Sequence, residues 1–233
     1  MKRVKLATLL LATSALAGFT YFASCTHKDT LDVAPLKKEI VRGNDVIKLS
    51  DGWSWDKSHS NVMWETPYDG VGALLTGRFN QFGLTTMEFD EANPEKIQFE
   101  GWVRLNTVNT GEMGRDTGCL LKTFKTAKGK VDEPENLATI KSKTVKFNPE
   151  DTTYIVTADL TFMGITKEIE GILTYSGTTR FDIGQLGSNT KVTNICGLNF
   201  KFNLLAKSVF GIVSTSIADN VDIIINTQYK MTE

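Results

Sequence analysis

Few side chains in this 233-residue chain are placed to do chemistry. There are two histidines, His27 and His59, and neither has a sequence partner that suggests a nucleophile–base set or a metal site. His59 reads as a turn or strand-end histidine that satisfies backbone groups. Cys119 and Cys196 show neither metal-ligand spacing nor a Cys-x-x-Cys pair. In an oxidising compartment they could bridge; otherwise they behave as two small buried hydrophobes. Glu65, Asp69, Asp90 and Glu91 read as solvated rim charges rather than paired catalytic acids. The expectation is a non-enzyme with no catalytic residue, no metal and no cofactor. Arg115 and Lys207 are the candidates for holding a phosphate or other polar head, the guanidinium bidentately and the ammonium as a point charge. Their alternative role is in surface ion pairs, for example Arg115 with Glu112.

Cys25 invites a different chemistry. Lys2, Arg3 and Lys5 precede an apolar run from Leu6 to about Phe22, which ends in Phe22-Ala23-Ser24-Cys25. Small residues before a cysteine resemble a bacterial lipobox, although Leu is commoner where Phe22 stands. The reading is a lipoprotein signal peptide over 1–24 and acylation at Cys25; ordinary secretory cleavage and an uncleaved helix are the alternatives. One acyl chain gives marginal attachment at about 0.8 kcal/mol per buried CH₂, and a second makes it firm. Residues 25–44 then form a polar tether spanning on the order of 25 Å. These features predict a lipid-anchored protein of the bacterial cell envelope, on the periplasmic face or the outer surface of the outer membrane.

Residues 45–233 suffice for one domain with a sizeable core. The formal charge is −1, and the segment before Cys25 holds three bases and no acid, so the mature chain is more acidic still. That balance excludes a nucleic-acid partner. Composition leaves the oligomeric state open.

Beyond the tether the period is two. Tyr154, Val156, Ala158, Leu160 and Phe162 share one face opposite Thr153, Thr157, Asp159 and Thr161. Leu198, Phe200, Phe202 and Leu204 alternate with polar residues, as do Val221, Ile223 and Ile225. Phe99, Val103 and Leu105 fall on the apolar face of Ile97–Leu105. About eight strands are expected, at roughly 52–57, 60–68, 84–90, 96–108, 137–148, 152–163, 166–177 and 194–207, with one at 219–231 closing the sheet. Met163-Gly164 reads as a tight hairpin turn, and Asp116–Lys125 as the one short helix. Long strands without alternating helices predict an all-β fold: a single closed antiparallel barrel.

Several stretches, in order, resemble the YceI-like family of lipocalin-like barrels over about residues 52–231. They are Trp55-Asp56-Lys57-Ser58-His59-Ser60-Asn61-Val62, Gly77-Arg78-Phe79-Asn80-Gln81-Phe82, Thr110-Gly111 with Arg115-Asp116, Asp159-Leu160-Thr161-Phe162-Met163-Gly164-Ile165-Thr166-Lys167, and Lys207-Ser208-Val209-Phe210-Gly211-Ile212. Cys119-Leu120 stands near where the family often has His-Leu, and Lys207 where Arg is usual.

The resemblance implies a barrel whose lumen holds a long apolar chain, a polyisoprenoid or a phosphate or quinone relative. Phe79, Phe82, Phe99, Phe162, Phe200 and Phe202 are large enough to line such a tunnel or to plug it. Val103, Leu105, Tyr154, Val156 and Leu160 are the further candidates for its wall. The competing reading is a structural or protein-interaction module of the envelope with a filled barrel.

Overall fold

The computed structural model describes residues 43–124, 136–181 and 193–232. Cys25, the expected signal segment and most of the expected tether, all within residues 1–42, lie outside the described residues. Among the described residues eleven strands form: β1 (Val46–Lys48), β2 (Trp53–Pro67), β3 (Leu74–Phe79), β4 (Phe82–Asp90), β5 (Gln98–Arg104), β6 (Val108–Asn109), β7 (Leu137–Asn148), β8 (Thr153–Phe162), β9 (Ile165–Phe181), β10 (Thr193–Leu205) and β11 (Asn220–Thr232). They make one strongly curled antiparallel sheet in the order β1-β4-β5-β7-β8-β9-β10-β11-β2-β3-β6.

The alternation explains the curl. Along β8 every second residue, from Tyr154 to Phe162, is buried, so one face must be covered by the sheet itself, since the described residues form no second layer of helices to do it. The turn between β8 and β9 is the tight one expected. Met163 and Gly164 both take positive φ (51° and 76°), and Phe162 pairs with Ile165, as in a two-residue primed hairpin.

The strand count differs from the sequence reading for identifiable reasons. The expected strands 52–57 and 60–68 are one strand, β2, carrying a large bulge: Asn61 pairs with Asn226 but Asp56 with Gln228, so 57–60 bulge out against a single residue of β11. The stretch 96–108 is broken by a 3₁₀ turn at Leu105–Thr107. β1 and β3 were not expected as strands. The ladder also crosses two kinks. Phe79 pairs with Val108 and Phe82 with Val103, while between them Asn80 N–H donates to Thr107 O (3.0 Å) and Arg104 N–H to Gln81 O (2.9 Å).

Among the described residues the one helix of weight, α1, occupies residues 113–123 rather than starting at Asp116, with a π-type turn at Asp116–Leu120. Glu112 caps it, its carboxylate accepting from Gly114 N–H (3.2 Å) and Arg115 N–H (2.6 Å).

Candidate functional site: an apolar lumen

Inside the curled sheet lies a cavity of about 150 Å³, as the space open to the centres of water-sized spheres. At about 10–15 Å³ per water on that measure, it has room for on the order of ten waters. Leu198, Phe200, Phe202 and Leu204, four successive inward residues of β10, all line it. At ~3.4 Å per residue that is a run of roughly 20 Å. The apolar lining thus extends along the strand, with Phe99 and Phe200 meeting across it at 5.3 Å. Among the described residues no charged side chain lines it; the few polar groups include Thr66, Thr139 and Thr227. Thr66 is spent on the backbone, donating to Asn220 O (2.9 Å) and accepting from Ala218 N–H (3.2 Å). Such a space cannot hold an ion, because nothing repays its desolvation.

Two glycines make room for the lining rings. A Cβ at Gly77 would stand 2.5 Å from the Trp64 ring, and one at Gly171 would stand 2.7 Å from the Phe200 ring. With no side chain in the way, both rings lie over the glycine backbone, and Phe200 still meets Phe99 across the lumen at 5.3 Å.

Beyond one end of the lumen the interior is solid. Phe89 packs on Tyr175 (ring centroids 4.4 Å) and edge-on against Tyr154 (5.5 Å), and Val156 beside them has no exposed surface. Tyr175 Oη donates to Asp45 Oδ2 (2.6 Å), tying the start of the domain to this end. Burial, reinforced by the Asp45 hydrogen bond, pushes the Tyr175 phenol far up; burial and then the Asp45 charge push the Cys196 thiol up to about 12. The other end is roofed by α1 and the segment after β10. Phe124 meets Phe162 edge-on (5.9 Å) and Phe79 (6.3 Å), and Phe162 meets Phe210 (5.5 Å).

Of the residues expected in the wall, Phe79, Phe82, Phe99, Val103, Leu105 and Leu160 line the lumen, as do Phe162, Phe200 and Phe202. Tyr154 and Val156 do not; they belong to the solid end, because the lumen stops part-way along β8. Arg115 and Lys207 are not lining residues either. Arg115 lies in the first turn of α1, where its charge helps hold the Glu112 carboxyl below its usual range, after the backbone bonds from Arg115 and Gly114. Lys207 donates its backbone N–H to Asp219 Oδ1 (2.7 Å) in the loop after β10. Cys119 and Cys196 are both free thiols. They cannot meet, since Cys119 is exposed on the roofing helix and Cys196 is buried near the start of β10, in the solid end.

Sequence reasoning passed over Trp64, Leu173, Ile223 and Ile225, which line the lumen on the same alternation as their neighbours. It also passed over the bulge of β2. There Trp55 Nε1–H donates to Ser60 Oγ (2.9 Å), Ser60 donates to Asp56 O (2.7 Å), and His59 Nδ1 meets Asp56 Oδ2 (2.8 Å). Burial works to raise the Asp56 carboxyl, but the His59 bond, the Lys230 charge and the Gln228 amide outweigh it and hold the group below its usual range. The signal was the run of short polar residues at 56–60 inside an otherwise apolar-alternating strand.

Comparison with known proteins accords with this architecture. In structure the chain is similar to BcnA of Burkholderia cenocepacia (16% identity, TM-score 0.53, covering 75% of this chain and 99% of that one). It is also similar to a YCEI protein of Campylobacter jejuni (21% identity, TM-score 0.50, covering 68% and 86%). A polyisoprenoid binding domain from Saccharophagus degradans, implicated in plant cell wall breakdown, aligns at 16% identity and TM-score 0.47 over 77% of this chain and 98% of that one. At such identities the likeness is one of fold. Among curated protein sequences nothing matches. The profile of the YceI-like domain matches residues 53–229, from the first lumen strand to the last, and the chain belongs to the YceI-like family.

Proposed function

We propose that this protein binds and carries a long apolar lipid, of the polyisoprenoid or isoprenoid-quinone kind, in the lumen of a closed barrel, and does no chemistry on it. One observation carries the reading: an apolar lumen whose lining runs roughly 20 Å along β10 and is free of charge among the described residues. Barrel closure is supported by the pairings. Joined across their kinks, β3 with β4 and β5 with β6 each act as one stave, β2 pairs with β3 on one side and β11 on the other, and eight staves form a ring. An isoprene unit would bury on the order of 100 Å², about 2.5 kcal/mol at 25 cal/mol/Å². Association costs roughly 4–15 kcal/mol, so several buried units are needed and long chains are favoured over small solutes.

The carrier works from a membrane, through acylated Cys25 and the tether of residues 25–44, in the bacterial cell envelope. Cys25→Ala is expected to move the protein from the membrane to the soluble fraction; a variant still firmly membrane-bound and normally processed would refute the anchor.

A second reading, an interaction module of the envelope, draws on Val71 and Val213, which are 93% and 94% exposed. These side chains sit in neighbouring loops joined by the Asp69 N–H to Ser216 O bond (3.0 Å). Native mass spectrometry of protein purified from cells separates the two. A bound lipid mass supports carriage. Empty protein whose melting is unmoved by added polyprenyl phosphates or quinones supports the interaction module.

A further inference from the structure

The lumen has a side seam. β2 runs from Trp53 to Pro67, but β3 covers only Met63–Pro67 of it. Beyond the kink at 80–81 the chain turns away as β4 to follow β5, and β1 covers only Glu88–Asp90 on β4's free edge. Residues 53–62 of β2 and 82–87 of β4 thus have no ladder between them, and side chains meet across the gap. Trp55 meets Phe82 edge-on at 5.7 Å, and Lys57 Nζ stands 5.7 Å from the centre of the Phe82 ring. Trp55, Phe82, Leu84 and Ile225 line the lumen, yet each keeps accessible surface, whereas the roofing residues Leu120, Phe124 and Ile212 are buried.

On the reading that the lumen takes a lipid chain, we propose that this seam is the headgroup subsite and that it selects an anionic head, a phosphate or carboxylate. The head cannot sit in the lumen, where among the described residues no charged side chain lines the wall to meet it. One end is filled by Phe89, Tyr154 and Tyr175, and the other is roofed by Phe124, Phe162 and Phe210. The seam remains, and it carries the cations. Lys57 stands over Phe82, and Arg78 pairs in register with Met63, the last residue of β2 that β3 covers, at the apex of the seam. Both are exposed, and among the described residues neither is paired with a carboxylate. The bulge of β2 fixes the geometry: Ser60 holds the Trp55 indole, and the acid nearest Lys57 in sequence, Asp56, is already engaged by His59 and Gln228. A chain lying in the lumen can pass its neck between Trp55 and Phe82 and present its head to Lys57 and Arg78.

The test titrates the full chain, following tryptophan emission, with farnesyl phosphate, farnesol and inorganic phosphate. Farnesyl phosphate is expected to bind about five- to tenfold tighter than farnesol, the increment of partly exposed charge pairs. In Lys57→Gln/Arg78→Gln, both exposed positions with little effect expected on melting, that preference should fall below about twofold. Equal affinity of the wild type for the two chains, or a preference that survives the double substitution, overturns the subsite and leaves the carrier reading standing. Inorganic phosphate binding as tightly as farnesyl phosphate overturns it too, by making the seam a free-anion site. Binding of neither chain refutes the carrier reading itself, and the subsite with it.

Discussion

The two halves of the interior are built by the same strands on the same alternation, yet one is solid and the other hollow. Along β8, Tyr154 and Val156 close onto Phe89 and Tyr175, while Leu160 and Phe162, a few residues on, border empty space. Aromatic content does not separate them, since the hollow half holds more rings than the solid one. The difference lies in the glycines. Rings meet across the interior in both halves, Phe89 with Tyr154 in the solid one and Phe99 with Phe200 (5.3 Å) in the hollow one. In the hollow half Trp64 also lies over Gly77 and Phe200 over Gly171, where a larger residue would displace the ring. Glycine at an inward strand position costs sheet stability and here leaves room for a ligand.

The largest effect expected is on the solid half. Tyr154→Ala should cost about 3–5 kcal/mol, because its ring is closed in on all sides and the cavity left cannot collapse. Phe200→Ala should cost about half as much, since its ring already borders open space, and should weaken lipid binding, which Tyr154→Ala should leave alone. Thermal or denaturant unfolding and lipid titration on the same samples measure both. Equal losses of stability at the two sites, with no change in lipid binding at either, would mean that the hollow half is packed core.

A smaller effect isolates the glycine. In Gly77→Ala the three atoms nearest the new methyl all belong to the Trp64 ring, at 2.5–2.8 Å, so the ring must shift, and the open side is the lumen. Overpacking of this kind costs about 1–3 kcal/mol, and the chain affinity should fall by about tenfold or more. Gly171→Ala is the poorer probe, because its Cβ would also come within 2.6 Å of the Lys201 carbonyl oxygen. If Gly77→Ala melts lower but binds chains as before, the ring was not holding the lumen open.

This comparison also marks what could be read from the sequence. Alternation located β7, β8, β10 and β11 within a few residues and put nine of the proposed wall positions on the lumen, because parity is local. Tyr154 and Val156 were assigned to the wall on the same parity, which says which face a residue takes and nothing of how far along the strand the lumen extends. Arg115 and Lys207 carry charge within family-like segments; the structure puts one in the first turn of a helix and the other in a loop. Lys57 and Arg78 lie within such segments too, but their proximity to the lumen depends on where β3 stops covering β2, a register that no single strand encodes.

The smallest expected effects are on pH, and they should fall on opposite limbs for the two regions. Asp56, in the bulge beside the seam, titrates in the fold below its ordinary value of 3.8. Its contribution to stability is complete above that unfolded value and is lost as pH falls through the folded one. The solid end behaves conversely. Cys196 is raised from 9.0 to about 12, and Tyr175 is also raised above its ordinary 10.0, so the folded state keeps both neutral where the unfolded chain would ionise. Stability from these groups is complete below the unfolded values and drains away as pH climbs through the folded ones. Melting midpoints across pH should therefore show Asp56→Asn losing most relative to wild type at neutral pH, with the gap closing in acid. Cys196→Ala should gain relative to wild type only between pH 9 and about 12. An Asp56→Asn deficit that persists unchanged to the lowest pH would mean that the side chain's shape, and not its charge, holds the bulge. A Cys196→Ala profile parallel to wild type in base would show that Cys196 titrates alike in both states, and that the solid end excludes water less well than its packing implies.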